Sequence, residues 1–190
     1  ERILAGRTEG FPLTQTGLQQ AEKIAKFLKP LEISAIYSSP IERAMNTAKI
    51  AAKSLNLEVK TDPRLTEIDM GMFSGMFYED MFTKHGNVFL KFYQDNPIIG
   101  ENGVETFSNV KKRMLDMVNY CSKEHKEQNV LLVTHMDPIK AMLSTILHLK
   151  PESLYELIIR NASLTILKKE QNNYSLAAIN SMNIERYVQD

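Results

Sequence analysis

In the run Asn129-Val130-Leu131-Leu132-Val133-Thr134-His135-Met136-Asp137-Pro138, four successive aliphatic residues lead into a histidine and then into an Asp-Pro pair. A strand that is apolar at every position has both faces covered, which is the environment of a central strand in a parallel sheet. Asp137-Pro138 opens a helix that runs to about His148. Working back from this strand–helix step, Ser34-Ala35-Ile36-Tyr37 reads as a second strand. The turn Ser38-Ser39-Pro40 follows it, with Pro40 suited to a first helical turn and Ser39 to its N-cap. Ala44, Ala48, Ala51, Ala52 and Leu55 line the helix beyond. Leu57 to Lys60 is a third short strand. Leu18, Ala21, Ile24, Ala25 and Leu28 recur at helical spacing behind a cap at Thr14 or Thr16, and Pro30 stops that helix. Phe107, Val110, Met114, Met117, Val118 and Cys121 mark a helix over 105–123. Met76 to Asp95 is amphipathic with a break at Gly86, and Asn96 to Gly103 reads as a loop. Leu164 to Lys168 and Tyr174 to Ile179 are closing strands. This alternation predicts an α/β domain: a three-layer α/β/α sandwich with a mostly parallel central sheet and a small helical cap over roughly residues 72–105.

The chain has 190 residues, enough for one domain, and no linker or repeat divides it. Lys and Arg total 23 and Asp and Glu total 23, so the net charge is zero. That balance argues against a nucleic-acid or anionic-membrane footprint and leaves room for a local anion site. One cysteine, Cys121, permits no intrachain disulfide, and no apolar run approaches a membrane span. The expectation is a cytoplasmic protein.

In α/β sheets, ligands sit beyond the carboxyl ends of the strands. Two ends are singled out: Ser38-Ser39-Pro40 with Arg43, and Thr134-His135 with Asp137. Arg43 in a first helical turn opposes the helix dipole. It is either a solvated surface arginine or one half of an anion site shared with the helix N-terminus. His135 is either a structural histidine or a polar group aimed into the ligand crevice. Glu67 lies in the long irregular connection 62–75. It reads as a salt-bridge partner of Arg64 or as a general acid/base whose pKa burial must raise. No Gly-x-Gly-x-x-Gly, P-loop or Gly-x-Ser-x-Gly is present.

Taken in order, five segments resemble the histidine phosphatase superfamily, the phosphoglycerate-mutase-like fold. Gly6-Arg7-Thr8-Glu9-Gly10 through Thr14, with Gly17 and Gln20-Ala21, resembles the segment after the first motif. Ile36-Tyr37-Ser38-Ser39-Pro40 with Arg43-Ala44 and Thr47-Ala48 resembles the second motif. Arg64-Leu65 with Glu67 through Gly71 resembles the acid-bearing segment, Val133-Thr134-His135 the second histidine motif, and Asn161-Ala162-Ser163 the approach to a late strand.

The resemblance implies phosphoryl transfer through a phosphohistidine on a small phosphorylated metabolite. It implies no metal and no cofactor, because convergent cationic donors suffice. It assigns Arg43 to phosphate binding, His135 to the charge on the transferring group, and Glu67 to general acid/base work. Arg7 is read as a second phosphate contact or as a surface arginine. The compact 75–104 segment, Gly100-Glu101-Asn102-Gly103-Val104-Glu105-Thr106 and Asp137 are similar to the phosphatase branch. A mutase on the same fold and an inactive phosphate-binding relative are the alternatives. A homodimer is compatible with the family. Two departures stand out. Met136 replaces the usual Gly and narrows the space beside His135. The nucleophilic Arg-His-Gly, which ends the family's first strand, is absent; His85-Gly86 lies in the wrong order to replace it. The expectation is a single domain over 1–190 that lacks its first strand, with the nucleophile upstream of residue 1.

Overall fold

The computed structural model describes residues 3–171 and 173–182. Helix α1 (Gln15–Leu28) is capped by Thr14, whose side chain accepts from the Gly17 N–H. The chain then alternates: β1 (Ile33–Ser38), α2 (Glu42–Leu55) and β2 (Val59–Thr61). Two single 3₁₀ turns are the only regular structure in the connection that follows, Pro63–Leu65 and Gly71–Phe73. Three short helices come next: α3 (Tyr78–His85), α4 (Val88–Tyr93) and α5 (Pro97–Glu101). Then come α6 (Phe107–Glu124), β3 (Asn129–Val133), α7 (Met136–Leu147), α8 (Pro151–Glu156), β4 (Leu164–Glu170) and β5 (Asn173–Ser181).

The central sheet is parallel, in the order β2-β1-β3, with Ile36 opposite Leu131 and Ser38 opposite Val133. The period-2 pleat sorts its side chains into two faces. Ile33, Ile36, Val59, Leu131 and Val133 meet Ala48 and Ala52 of α2. α1 packs on α2 through Ala25, Leu28 and Ala51. Ala35, Tyr37, Val130 and Leu132 belong to the opposite cluster, which holds Val110, Met114 and Met117 of α6 with Ala141 and Met142 of α7. Helices thus cover both faces, the three layers expected. The small alanines of α2 let its backbone approach the sheet.

The cap is continuous with the second cluster. Phe73, Met81, Phe92 and Ile99 are fully buried in it. Truncating a buried phenylalanine of this kind to alanine ordinarily costs about 3–5 kcal/mol. Only part of the Met/Phe content forms an apolar outer surface, namely Met72, Phe77 and Phe82.

Three local expectations change. α2 starts at Glu42, because the Ser39 hydroxyl accepts from the Ile41 N–H and closes a turn before the helix. The 96–103 loop contains α5, capped by Asn96 with Pro97 in its first turn. Among the described residues β4 and β5 pair only with each other, as an antiparallel hairpin. A connection this short can only reverse the chain, so the two strands cannot be parallel neighbours.

Among the described residues β3 has one strand neighbour, β1. Its aliphatic residues are therefore partly exposed rather than covered on both faces. They border a slot of about 630 Å³ that runs between β3 and β4. Ile24 and Leu28 of α1 and Ala44 and Ala51 of α2 line one wall. Met114 and Val118 of α6 with Met142 and Ile146 of α7 line the other.

Candidate active site

The parallel pairing of β1 and β3 brings their carboxyl ends to one level. The Ser39 N–H donates to the Val133 carbonyl (2.9 Å). Ser39 Oγ and His135 Nε2 are 2.8 Å apart, and both residues are buried. Thr134 Oγ1 donates to the Leu65 carbonyl (2.7 Å), which draws the irregular connection up to the same end. Arg43, Glu67, Thr134 and His135 together form the polar end of the slot.

Arg43 projects from the first turn of α2. Its Nη2 donates to the Gly6 carbonyl (2.8 Å). Its Nη1 is buried without a hydrogen-bond partner, the one such side-chain nitrogen or oxygen among the described residues. A buried guanidinium donor with no partner costs free energy, and an anion at this spot would recover it. The anion reading of Arg43 is therefore the one the geometry favours over a solvated surface arginine.

Burial, then the nearby guanidinium groups of Arg43, Arg113 and Arg7, push the His135 imidazole down to about 3. It is neutral at ordinary pH, able to share a hydrogen bond with an oxyanion. Glu67 accepts from the Ile68 N–H through Oε1 (2.9 Å). Burial, then the Asp137 carboxyl, push it up to about 8, against the pull of the Ile68 N–H, Arg43 and Arg113. At neutral pH it is a protonated acid beside an unsatisfied cation. Arg64 pairs with Asp62 instead of Glu67, closing the salt-bridge reading of Glu67 with that neighbour.

Arg7 does not line the slot. Its Nε donates to the Glu67 carbonyl and its Nη2 to Glu105, both at 2.8 Å, and Nη1 lies 3.7 Å from Asp69. The sequence reading missed the groups it works with. Arg113 of α6 grips Glu105 with Nε and Nη2 (2.8 and 3.0 Å) and donates from Nη1 to the carbonyls of Arg64 and Thr66, both at 2.7 Å. Gly71 completes the clamp. Its φ is +52°, and a Cβ there would lie 2.3 Å from the Asn102 carbonyl oxygen. Only glycine lets the segment after Glu67 press against 102–103. The available signal for Arg113 was a basic residue inside the apolar spacing of Val110, Met114 and Met117.

The raised acid has a stability consequence. Unfolded, Glu67 titrates in the usual carboxylate range; folded, at about 8. Between those values the folded protein holds a proton that the unfolded chain does not, so stability falls as pH rises through that window. Glu67→Gln is therefore expected to melt higher than wild type at pH 9, by about 2–4 °C for each kcal/mol relieved. The gap should close near pH 4. Thermal unfolding across pH measures it; a variant less stable than wild type at pH 9 would contradict the buried-acid assignment.

Among the described residues no three His, Cys, Asp or Glu side chains gather as a metal site, and no helix is long and apolar enough to cross a membrane.

With this geometry in hand, comparison with known proteins is informative. A family model described as "Histidine phosphatase superfamily (branch 1)" matches residues 1–182. A 2,3-bisphosphoglycerate-dependent phosphoglycerate mutase from Thermoplasma acidophilum is 35% identical over 172 residues, 88% of this chain and 80% of that protein. Phosphoserine phosphatase 1 from Hydrogenobacter thermophilus is 30% identical over 178 residues, 92% of this chain and 84% of that protein. The solved structure of Bacillus stearothermophilus YhfR superposes with a TM-score of 0.81 at 27% identity, covering 93% of this chain and 89% of the other.

Proposed function

The chain belongs to the histidine phosphatase superfamily, and from that membership we propose that it hydrolyses a small phosphomonoester through a phosphohistidine intermediate. The observation that carries the reading is the buried, unpartnered Arg43 Nη1, set beside neutral His135 and protonated Glu67 where β1 and β3 end.

On this reading the histidine that the family resemblance implies acts at the polar mouth of the slot, with its imidazole against the phosphate held by Arg43. The imidazole nitrogen bonds to phosphorus as the ester oxygen leaves. Arg43 and His135 meet the charge on the equatorial oxygens, and Glu67 gives its proton to the departing alkoxide. Water then attacks phosphorus, the N–P bond breaks, and Glu67 takes the water's proton.

A mutase shares the first half of this sequence and passes the phosphoryl group to a second hydroxyl instead of water. The 35% identity to the Thermoplasma acidophilum mutase keeps this as the second reading. The test is the full-length protein with a panel of phosphomonoesters, including phosphoserine and phosphoglycerates with and without bisphosphoglycerate. Acid-labile, alkali-stable labelling of the protein and phosphate release faster than isomerisation are expected. Isomerisation outrunning release would make it a mutase, and neither label nor turnover would overturn both readings.

A further inference from the structure

A second buried polar cluster joins the cap to α7. Tyr93 of α4, Asp137 and Lys140 of α7 are 4%, 2% and 2% exposed. The Tyr93 hydroxyl donates to Asp137 Oδ1 at 2.5 Å, and Lys140 Nζ donates to the Tyr93 hydroxyl at 3.0 Å. The ammonium also lies 5.0 Å from the centre of the Tyr93 ring. Phe92 and Phe107 hold that ring, with centroids 5.2 and 5.4 Å away, so the hydroxyl is fixed in place. The hydrogen bonds run in one direction, from ammonium to phenol to carboxyl. Tyr93 has a single proton and gives it to Asp137, so Asp137 ends the chain as an acceptor, with a cation one step behind it. That arrangement favours the carboxylate form.

Asp137 also faces Glu67 electrostatically, as does Arg113 from α6. Glu67 is further faced by Arg43 of α2 and, through their own interactions with it, by Tyr93 and Lys140. His135 opens α7 two residues before Asp137. Two carboxyls enclosed together do not both ionise near neutrality; one keeps a proton.

We propose that Asp137 is a positioning residue for the reaction: held as a carboxylate by Tyr93 and Lys140, it leaves the pair's proton on Glu67. This rests on Glu67 being the general acid. Burial lifts the Asp137 carboxyl above the usual carboxylate range as well, and the Tyr93 hydroxyl, then Lys140 and Arg113, oppose that rise. The chain therefore ties helix α4 of the cap to the protonation of the acid.

The experiment uses the full-length protein with two substrates, an alkyl phosphate whose leaving group needs a proton and p-nitrophenyl phosphate, which needs none. In Asp137→Asn the alkaline limb of kcat/KM for the alkyl ester should move down by about one pH unit, since a neighbouring negative charge is gone. In Tyr93→Phe the Asp137 carboxylate loses its donor and competes for the proton. The alkyl ester should then lose about tenfold in kcat/KM at neutral pH, with p-nitrophenyl phosphate little changed. An unmoved limb in Asp137→Asn with wild-type melting, or equal losses on both esters in Tyr93→Phe, would overturn the proposal. If Asp137→Asn fails to fold, the two-substrate ratio in Tyr93→Phe decides alone. Glu67→Gln on the same pair of esters tests the underlying reading separately: equal losses there mean that Glu67 is not the acid, whatever Asp137 does.

Discussion

Glu67→Gln in the full-length protein is expected to lower kcat for an alkyl phosphate by about two to four orders of magnitude, the usual worth of a positioned acid, and to change KM little. Glutamine keeps the volume and an oxygen that can accept from the Ile68 N–H, as Glu67 Oε1 does. What it lacks is a transferable proton. An alkoxide is a poor leaving group that must be protonated as the P–O bond breaks, whereas p-nitrophenolate leaves unaided. The loss should therefore shrink sharply on p-nitrophenyl phosphate in the first half-reaction, and the alkaline limb set by Glu67 near pH 8 should vanish from the residual profile. Steady-state and single-turnover rates on the two esters measure both. Wild-type rates on both would remove Glu67 from the mechanism. The same substitution is expected to stabilise the fold at high pH, so the residue trades stability for chemistry.

Arg43→Ala should lower kcat/KM by about 10²–10³, the ordinary cost of removing a preorganised donor to a developing oxyanion, and should weaken vanadate binding in parallel. Arg43→Lys should recover little of this. The guanidinium is already oriented, with Nη2 on the Gly6 carbonyl and Nη1 left free. An ammonium is a point charge that cannot serve both directions with one rigid fork. Titration with vanadate, followed by kinetics, checks it. Unchanged vanadate affinity in Arg43→Ala would move the anion site elsewhere and sink the assignment built on the unpartnered nitrogen.

The layered fold was legible because it rests on local patterns. Val130 to Val133 read as a strand covered on both faces and do form a strand, though among the described residues it pairs on one side alone; the alanines of α2 read as a helix face and pack on the sheet. The hairpin β4–β5 was legible as two strands but not as a separate sheet, because partner choice depends on what β3's free edge meets. Helix α5 was misread despite the Asn96-Pro97 start, since five residues carry too little periodicity to compete with a Gly-rich stretch. Arg43, Glu67 and His135 were readable from strand ends and from the resemblance. Arg113, Glu105, Tyr93 and Lys140 were not. Their partners lie between 8 and 98 residues away in sequence, and nothing local marks a charge that is satisfied only after the chain has folded. Arg7, read as a phosphate contact or a surface arginine, meets the Glu67 carbonyl and Glu105, partners that nothing beside it in the sequence marks.

The clamp of Arg7, Glu105 and Arg113 bears on how the molecule comes apart. The segment that carries Glu67 has no strand or α-helix of its own, and three of its carbonyls, those of Arg64, Thr66 and Glu67, are held by arginine side chains. Its backbone is held by side chains rather than by a ladder, while Leu65, Ile68, Met70 and Phe73 anchor it in the same core that the sheet and α6 share. Because those apolar anchors belong to the core of the sheet, the segment that carries Glu67 and the scaffold share one hydrophobic core, and the arginine clamp fixes where its backbone lies within it.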